Sequence, residues 1–240
     1  MVTRRPANRN AAKRPRAATA THPGKHPAEP PAKLTDLAYE QIEEAIVTLR
    51  LPPGAAVSEQ SLSDMTGIGR TPIREAVQRL AREHLILVLP QRGLLVSAVD
   101  LSKQLKLLET RRELERLVCR SAAKRATDEE RRHFARLAGD FRAAAGNKDE
   151  RAFMSTDREF NELCLAAARN ELAEGAMRSL HGLSRRFWYV HYKQAADLPE
   201  MARLHAALAA AIGNADVSGA GVALDKLLDN IEDFARATVL

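Results

Sequence analysis

Hydrophobic residues recur along most of this chain at intervals of three and four, the spacing of helices that bury one face. In LTDLAYEQIEEAIVTLR, residues 34–50, the pattern puts Leu37, Ile42, Ala45, Ile46 and Leu49 on one side of a predicted helix, which Pro52-Pro53-Gly54 stops. SEQSLSDMT predicts a short second helix with Ser58 as its N-cap. Gly67-Ile68-Gly69 predicts a tight turn, and a third helix over 70–83 turns Ile73, Ala76, Val77 and Leu80 inward. LILVL and LLVSA, either side of a PQRG turn, then read as two short strands. From Asp100 onward the helical period returns and persists. LSKQLKLLETRRELERLVCRSAAKRA predicts one long amphipathic helix, with Leu101, Leu105, Leu108, Leu114, Leu117 and Val118 suggesting its buried face. Thr127-Asp128 opens another helix, and Asn147-Lys148-Asp149 and Asn170 punctuate the remainder. Helices at about 150–168, 171–192, 198–213 and 216–238 complete a bundle of about six.

Helix, helix, turn, helix and a two-stranded hairpin is the order of a winged helix-turn-helix. The expected fold class is therefore mainly α, with a winged helix-turn-helix over residues 34–99 and an all-helical bundle over 100–240. Composition agrees. Apolar residues make up 45% and charged residues 28% of the 240, as in ordinary globular proteins, and aromatics only 4%. Cys119 and Cys164 are too few for a disulfide framework or a zinc site and read as buried thiols in a reducing cytosol. No apolar run reaches membrane-spanning length, so a cytoplasmic location without a membrane partner is expected.

The net charge of +6 is unevenly spread. Residues 1–33 hold eight Lys/Arg against one acid, whereas residues 34–240 hold 29 against 30. That Pro- and Ala-rich tail has no apolar periodicity and is expected to be disordered. Arg4-Arg5 is not followed by a hydrophobic region, which argues against an export signal. The tail's cations would add salt-dependent, non-specific attraction to nucleic acid.

The third helix opens GRTPIREAVQRL, with Arg70 and Arg74 at an end where the helix dipole is already positive. A dense polyanion reverses that penalty. In a helix-turn-helix this helix enters the major groove, where arginine can bond bidentately to guanine. Thr71 can donate to a phosphate or touch a thymine methyl, and Arg92 and Gly93 at the wing tip can reach an adjacent groove. Glu75, Gln78, Arg79 and Arg82 do not alternate as in a helix stitched by its own salt bridges. Residues 34–99 nonetheless carry six Lys/Arg and eight acids, so affinity must come from the placement of a few arginines.

YEQIEEAIVTLRLPPGAAVSEQSLSDMTGIGRTPIREAVQRL and the wing PQRGLLV resemble the DNA-binding domain of the GntR family of bacterial regulators. The resemblance implies DNA contacts from Arg70, Thr71 and Arg74, with Gly93 at the wing. Gln60 stands where members carry a DNA-contacting arginine, Gly69 replaces a capping serine, and His84 replaces a helix-ending glycine. The second half, through ETRRELE, DREFN, AARNEL and RLHAALAAAIGNAD, resembles the helical FCD effector domain of the FadR subfamily.

Many members of that subfamily hold a divalent metal with an aspartate and three histidines. Those positions fall here on Asp157, Asn161, His205 and, in a gap-free reading, Leu227, with Asn230 the poorer alternative if the chain slips; an amide is a weak donor, so no metal and no other cofactor is expected. The resemblance also places Arg111 in the pocket, where it could meet a carboxylate bidentately. Asp157 and His205 could face a ligand or form a buried structural pair. FWYVHY, 187–192, holds four of the ten aromatics, from which Trp188 and Tyr192 are further effector candidates. His181 and His191 read as surface or packing residues. No phosphate loop, nucleophile elbow or other catalytic constellation occurs, and no catalytic residue is expected. The expectation is a homodimer on a palindromic operator, its affinity modulated by a small metabolite, commonly an organic acid. The alternatives are a metabolite-insensitive dimer with a vestigial pocket, or an enzyme carried on a DNA-targeting module.

Overall fold

The computed structural model describes residues 1–3, 34–195 and 197–238. From residue 4 on, the tail expected to be disordered lies outside them. Helix α1 (Leu34–Val47) buries Ala38, Ile42, Ala45 and Ile46, one turn-spaced stripe. Leu37, expected on that stripe, is 37% exposed, and Leu49 lies beyond the helix in a left-handed turn (φ 63). A two-residue strand, β1 (Ala56–Val57), precedes α2 (Glu59–Thr66). Ser58 caps α2 in a reciprocal capping box with Ser61, and Gly67 ends it in the left-handed conformation.

Helix α3 (Arg70–Arg82) buries Ile73, Ala76, Val77 and Leu80, as its periodicity predicts. Gly69 supplies no side-chain cap to it. His84 takes the left-handed φ of 60 that a glycine would take without strain, and Ser97 Oγ donates to its carbonyl at 2.6 Å. Strands β2 (Ile86–Leu89) and β3 (Gly93–Val96) form the expected hairpin. The sheet has a third member, because β1 pairs antiparallel with β3 in the order β1-β3-β2. Gly93 needs its φ of 87 at the wing, where a side chain would be strained.

Six helices follow: α4 (Leu101–Arg125), α5 (Asp128–Asn147), α6 (Glu150–Ala168), α7 (Glu171–Ala195), α8 (Leu198–Gly213) and α9 (Val217–Ala237). Asp or Thr at each N-cap except that of α7 accepts a backbone N–H from the first turn, which starts each helix where the sequence punctuates it. Helix α5 lies along α8, and α4 packs against α6, α7 and α9. Phe134, Leu137, Phe141, Leu208, Ile212, Leu224 and Leu228 centre this core, each worth about 1.5–3 kcal/mol in burial. The buried face of α4 is Gln104, Leu107, Leu108, Val118, Cys119, Ala122 and Ala123; Leu117, expected inside, is 47% exposed. A second core, of Ala38, Ile42, Ile46, Leu62, Ile73, Leu80 and Ile86, holds the winged region together.

Candidate nucleic-acid interface and ligand cavity

The first turns of α2 and α3 meet at an exposed edge. Arg70 donates from Nε (3.1 Å) and Nη2 (2.5 Å) to Gln60 Oε1, and Gln60 Nε2 donates to Asp64 Oδ1 at 2.7 Å. Arg74 donates from Nε and Nη2 to the two oxygens of Glu59 at 3.0 and 2.9 Å. The Arg74 hydrogen bond holds the Glu59 carboxyl below the usual carboxylate range, and Arg74 is raised in return. Thr71 beside them and Arg92 on the wing are exposed. Two other polar groups of α3 turn toward α1: Thr35 Oγ1 donates to Glu75 at 2.6 Å, and Arg79 sits 3.6 Å over the Tyr39 ring. Arg79 also pairs along its own helix with Glu83 at 3.1 Å, a stitch the sequence reading did not expect.

A cavity of about 1000 Å³ lies among α1, α4, α6, α7, α8 and α9. Asp157, Asn161, Arg111, His205 and Trp188 line it together, although they come from α6, α4, α8 and α7. Tyr192 is not in that wall; it stacks on Trp188 at 6.2 Å, one turn further along α7. His181, expected at the surface or in packing, is instead a wall residue. Burial first, then the Arg111 charge, hold its pKa below the usual histidine value. His181, Ser184 and Trp188 at i, i+3 and i+7 share one face of α7, and that spacing was the available signal. His191 packs beside Phe187 at 4.6 Å.

At the centre His205 Nε2 stands 3.2 Å from Asp157 Oδ1. Its Nδ1 lies 2.8 Å from the Met201 carbonyl, which can only accept, so Nδ1 carries a proton. Phe141, Phe153 and Phe160 surround the ring at 5.1–6.3 Å. Burial pushes the Asp157 carboxyl up, but the His205 hydrogen bond and the His205, His181 and Arg111 charges bring it below the usual value. Arg111 donates from Nε to Glu115 (2.5 Å) and from Nη1 to Ser184 Oγ (2.8 Å). These residues do not fit a resident transition metal. Asp157 and His205 bond each other directly, Asn161 offers an amide, Leu227 offers no donor, and no group of three or more His, Cys, Asp or Glu among the described residues is arranged to hold an ion.

Helix α7 joins this cavity to the winged region. Arg185 donates to both Glu43 oxygens (3.1 and 3.0 Å) and to Glu44 (2.7 Å) on α1. Burial nevertheless keeps the Glu43 carboxyl above its ordinary value. Arg186, 3% exposed, donates to the Ser97 carbonyl and hydroxyl at 3.0 Å and to the Ala98 carbonyl at 3.3 Å, between β3 and α4. Burial pushes its pKa down to about 10.

A winged helix-turn-helix with arginines at the exposed start of α3, followed by an all-helical domain, defines a DNA-binding architecture. The GntR profile of bacterial regulatory proteins matches residues 34–96, and the FCD-domain profile matches residues 106–230, more than half the chain. The chain belongs to the GntR family of bacterial transcription regulators and carries an FCD domain. It is 25% identical over 198 residues, 82% of this chain and 87% of the relative, to the HTH-type transcriptional repressor RspR of Escherichia coli. It is 45% identical to an HTH-type regulator in an unstable DNA locus of Streptomyces ambofaciens, over 62 residues that span 26% of either chain. Among solved structures, E. coli McbR/YncC superposes with TM-score 0.75 at 19% identity, covering 87% of this chain and all of that one. A GntR regulator from Rhodococcus superposes with TM-score 0.62 at 19% identity, over 85% and 97% of the two chains. No helix among the described residues is long and apolar enough to cross a membrane.

Proposed function

We propose that this regulator reads a palindromic operator as a homodimer, and that a small metabolite in the α4–α9 cavity sets its operator affinity. Residues 34–99 serve as the DNA-binding domain and residues 100–240 as the effector and dimerisation domain. Arg70, Thr71 and Arg74 enter the major groove, with Arg92 and Gly93 at the flanking wing. The observation that carries the regulatory half is α7, which presents His181, Ser184 and Trp188 to the cavity and Arg185 and Arg186 to the winged region. A ligand that favours one placement of α7 shifts the population of winged-region positions, and about 1–3 kcal/mol of such coupling changes occupancy usefully. Arg111 and His181 supply polar contacts suited to a small organic acid bound directly, beside the paired Asp157 and His205, while Phe153, Leu227 and Phe234 supply apolar wall. A cavity of about 1000 Å³ favours this reading over a collapsed, ligand-insensitive pocket.

The test pairs a thermal-shift screen of organic acids with operator titrations. A ligand that raises Tm should also change operator affinity, and Arg111→Ala should remove both effects. Operator affinity unmoved by every stabilising ligand would leave a ligand-insensitive DNA-binding dimer.

A further inference from the structure

Both recognition arginines are held by the same edge. Arg74 is gripped through Nε and Nη2 by Glu59, and Arg70 through Nε and Nη2 by Gln60, whose amide is in turn anchored on Asp64. Neither Nη1 is engaged among the described residues, so each guanidinium offers its Nη1/Nη2 end to solvent. That end is the fork that fits guanine O6 and N7, or a phosphate. An arginine free to rotate must be ordered on binding, at a cost in entropy for every duplex it meets. An arginine already aimed loses less at a fitting site and gains less at a site that would need another rotamer.

We propose that Glu59 and Gln60 are specificity-determining positioning residues: the first turn of α2 aims Arg74 and Arg70, trading non-specific affinity for discrimination between DNA sequences. Glu59 does this at a cost in charge, since it brings a carboxylate to the face that phosphates approach. Gln60 is neutral, so its role is orientation alone. The proposal rests on the reading of α3 as the helix that enters the groove.

The experiment uses the full chain. An operator is selected from random duplexes with the unaltered protein, and affinity for it and for a scrambled duplex is followed by fluorescence anisotropy across a salt series. Glu59→Leu, which removes the acceptor together with the charge, should tighten binding to scrambled DNA and lower the operator-to-scrambled ratio about tenfold, or about 1.4 kcal/mol. In an Arg74→Ala background the same change should leave that ratio where it was. Gln60→Glu, which keeps an acceptor for Arg70, should preserve the ratio better than Gln60→Leu, which removes it. Operator and scrambled affinities rising in parallel would overturn the proposal and leave Glu59 a repulsive charge. A ratio lowered equally with and without Arg74 would also overturn it. If Arg74→Ala itself binds the operator as tightly as the unaltered chain, the groove assignment fails first, independently of Glu59.

Discussion

Arginines at the α2–α3 edge and on α7 make similar hydrogen bonds in opposite surroundings. The Arg74–Glu59 pair has side chains 63% and 34% exposed, while Arg186 is buried at 3%. An exposed ion pair contributes about 0–1 kcal/mol, so it can be exchanged for a DNA contact with little loss of fold stability. A buried guanidinium lodged against backbone carbonyls cannot be exchanged in that way, because removing it strands acceptors away from water. The same chemistry is thus exchangeable where solvent reaches it and a rivet where solvent does not.

The largest expected stability effect follows from that contrast. Arg186→Met should destabilise the chain by about 2–4 kcal/mol, because the Ser97 and Ala98 acceptors lose their donor. Denaturant unfolding measures it; a loss under about 0.5 kcal/mol would put Arg186 in the same class as a surface arginine.

Two buried-side carboxylates should then separate by sign. The folded-state pKa of Asp157 is depressed, so its contribution is present above the ordinary carboxylate value and is lost as pH falls toward and through the depressed one. The folded-state pKa of Glu43 is raised, so folding favours its protonated form; that contribution is present below the ordinary value and is lost as pH rises through the raised one. Asp157→Asn should therefore reduce the acid-side loss of stability, and Glu43→Gln should make that loss steeper, in unfolding curves taken between about pH 3 and pH 7. Parallel shifts from both variants would contradict the assigned environments. The smallest effect belongs to the solvent-exposed Arg236–Glu232 pair on α9, where Arg236→Ala should change stability by less than about 0.5 kcal/mol.

What could be read from the sequence divides along related lines. Helix boundaries from α2 to α9 were legible because capping residues and apolar periodicity are local, and the six-helix second half followed from them. The motif around Arg70 and Arg74 was legible because turn, helix and wing follow one another in sequence. Strand β1 was not, since two residues carry no period and its pairing with Leu94 and Leu95 is non-local. The inner face of α4 was legible in part: Leu108 and Val118 are buried and Leu101 and Leu114 pack on the core, but the helix packs against four others, so no single stripe decides that Leu117 faces out. Leu37 and Leu117 were lost to exposure for the same reason: periodicity gives a face but not its neighbours. His181 was not singled out because its place on the cavity wall beside Arg111 and Asp157 depends on other helices, whereas Asp157, Asn161 and His205 were named through the resemblance and line the same cavity. Tyr192 shares its face with Trp188 but lies a turn beyond the cavity wall. Glu59 gave no signal, since a glutamate in a first helical turn already has a sufficient reason in the helix dipole.

The most direct test of the account is an anisotropy titration of Arg74→Ala against the selected operator, with thermal unfolding alongside. The account predicts a loss of operator affinity corresponding to about 1–3 kcal/mol, with stability within about 0.5 kcal/mol of the unaltered chain. Operator binding within twofold of the unaltered chain, at unchanged stability, would contradict the claim that α3 reads the DNA.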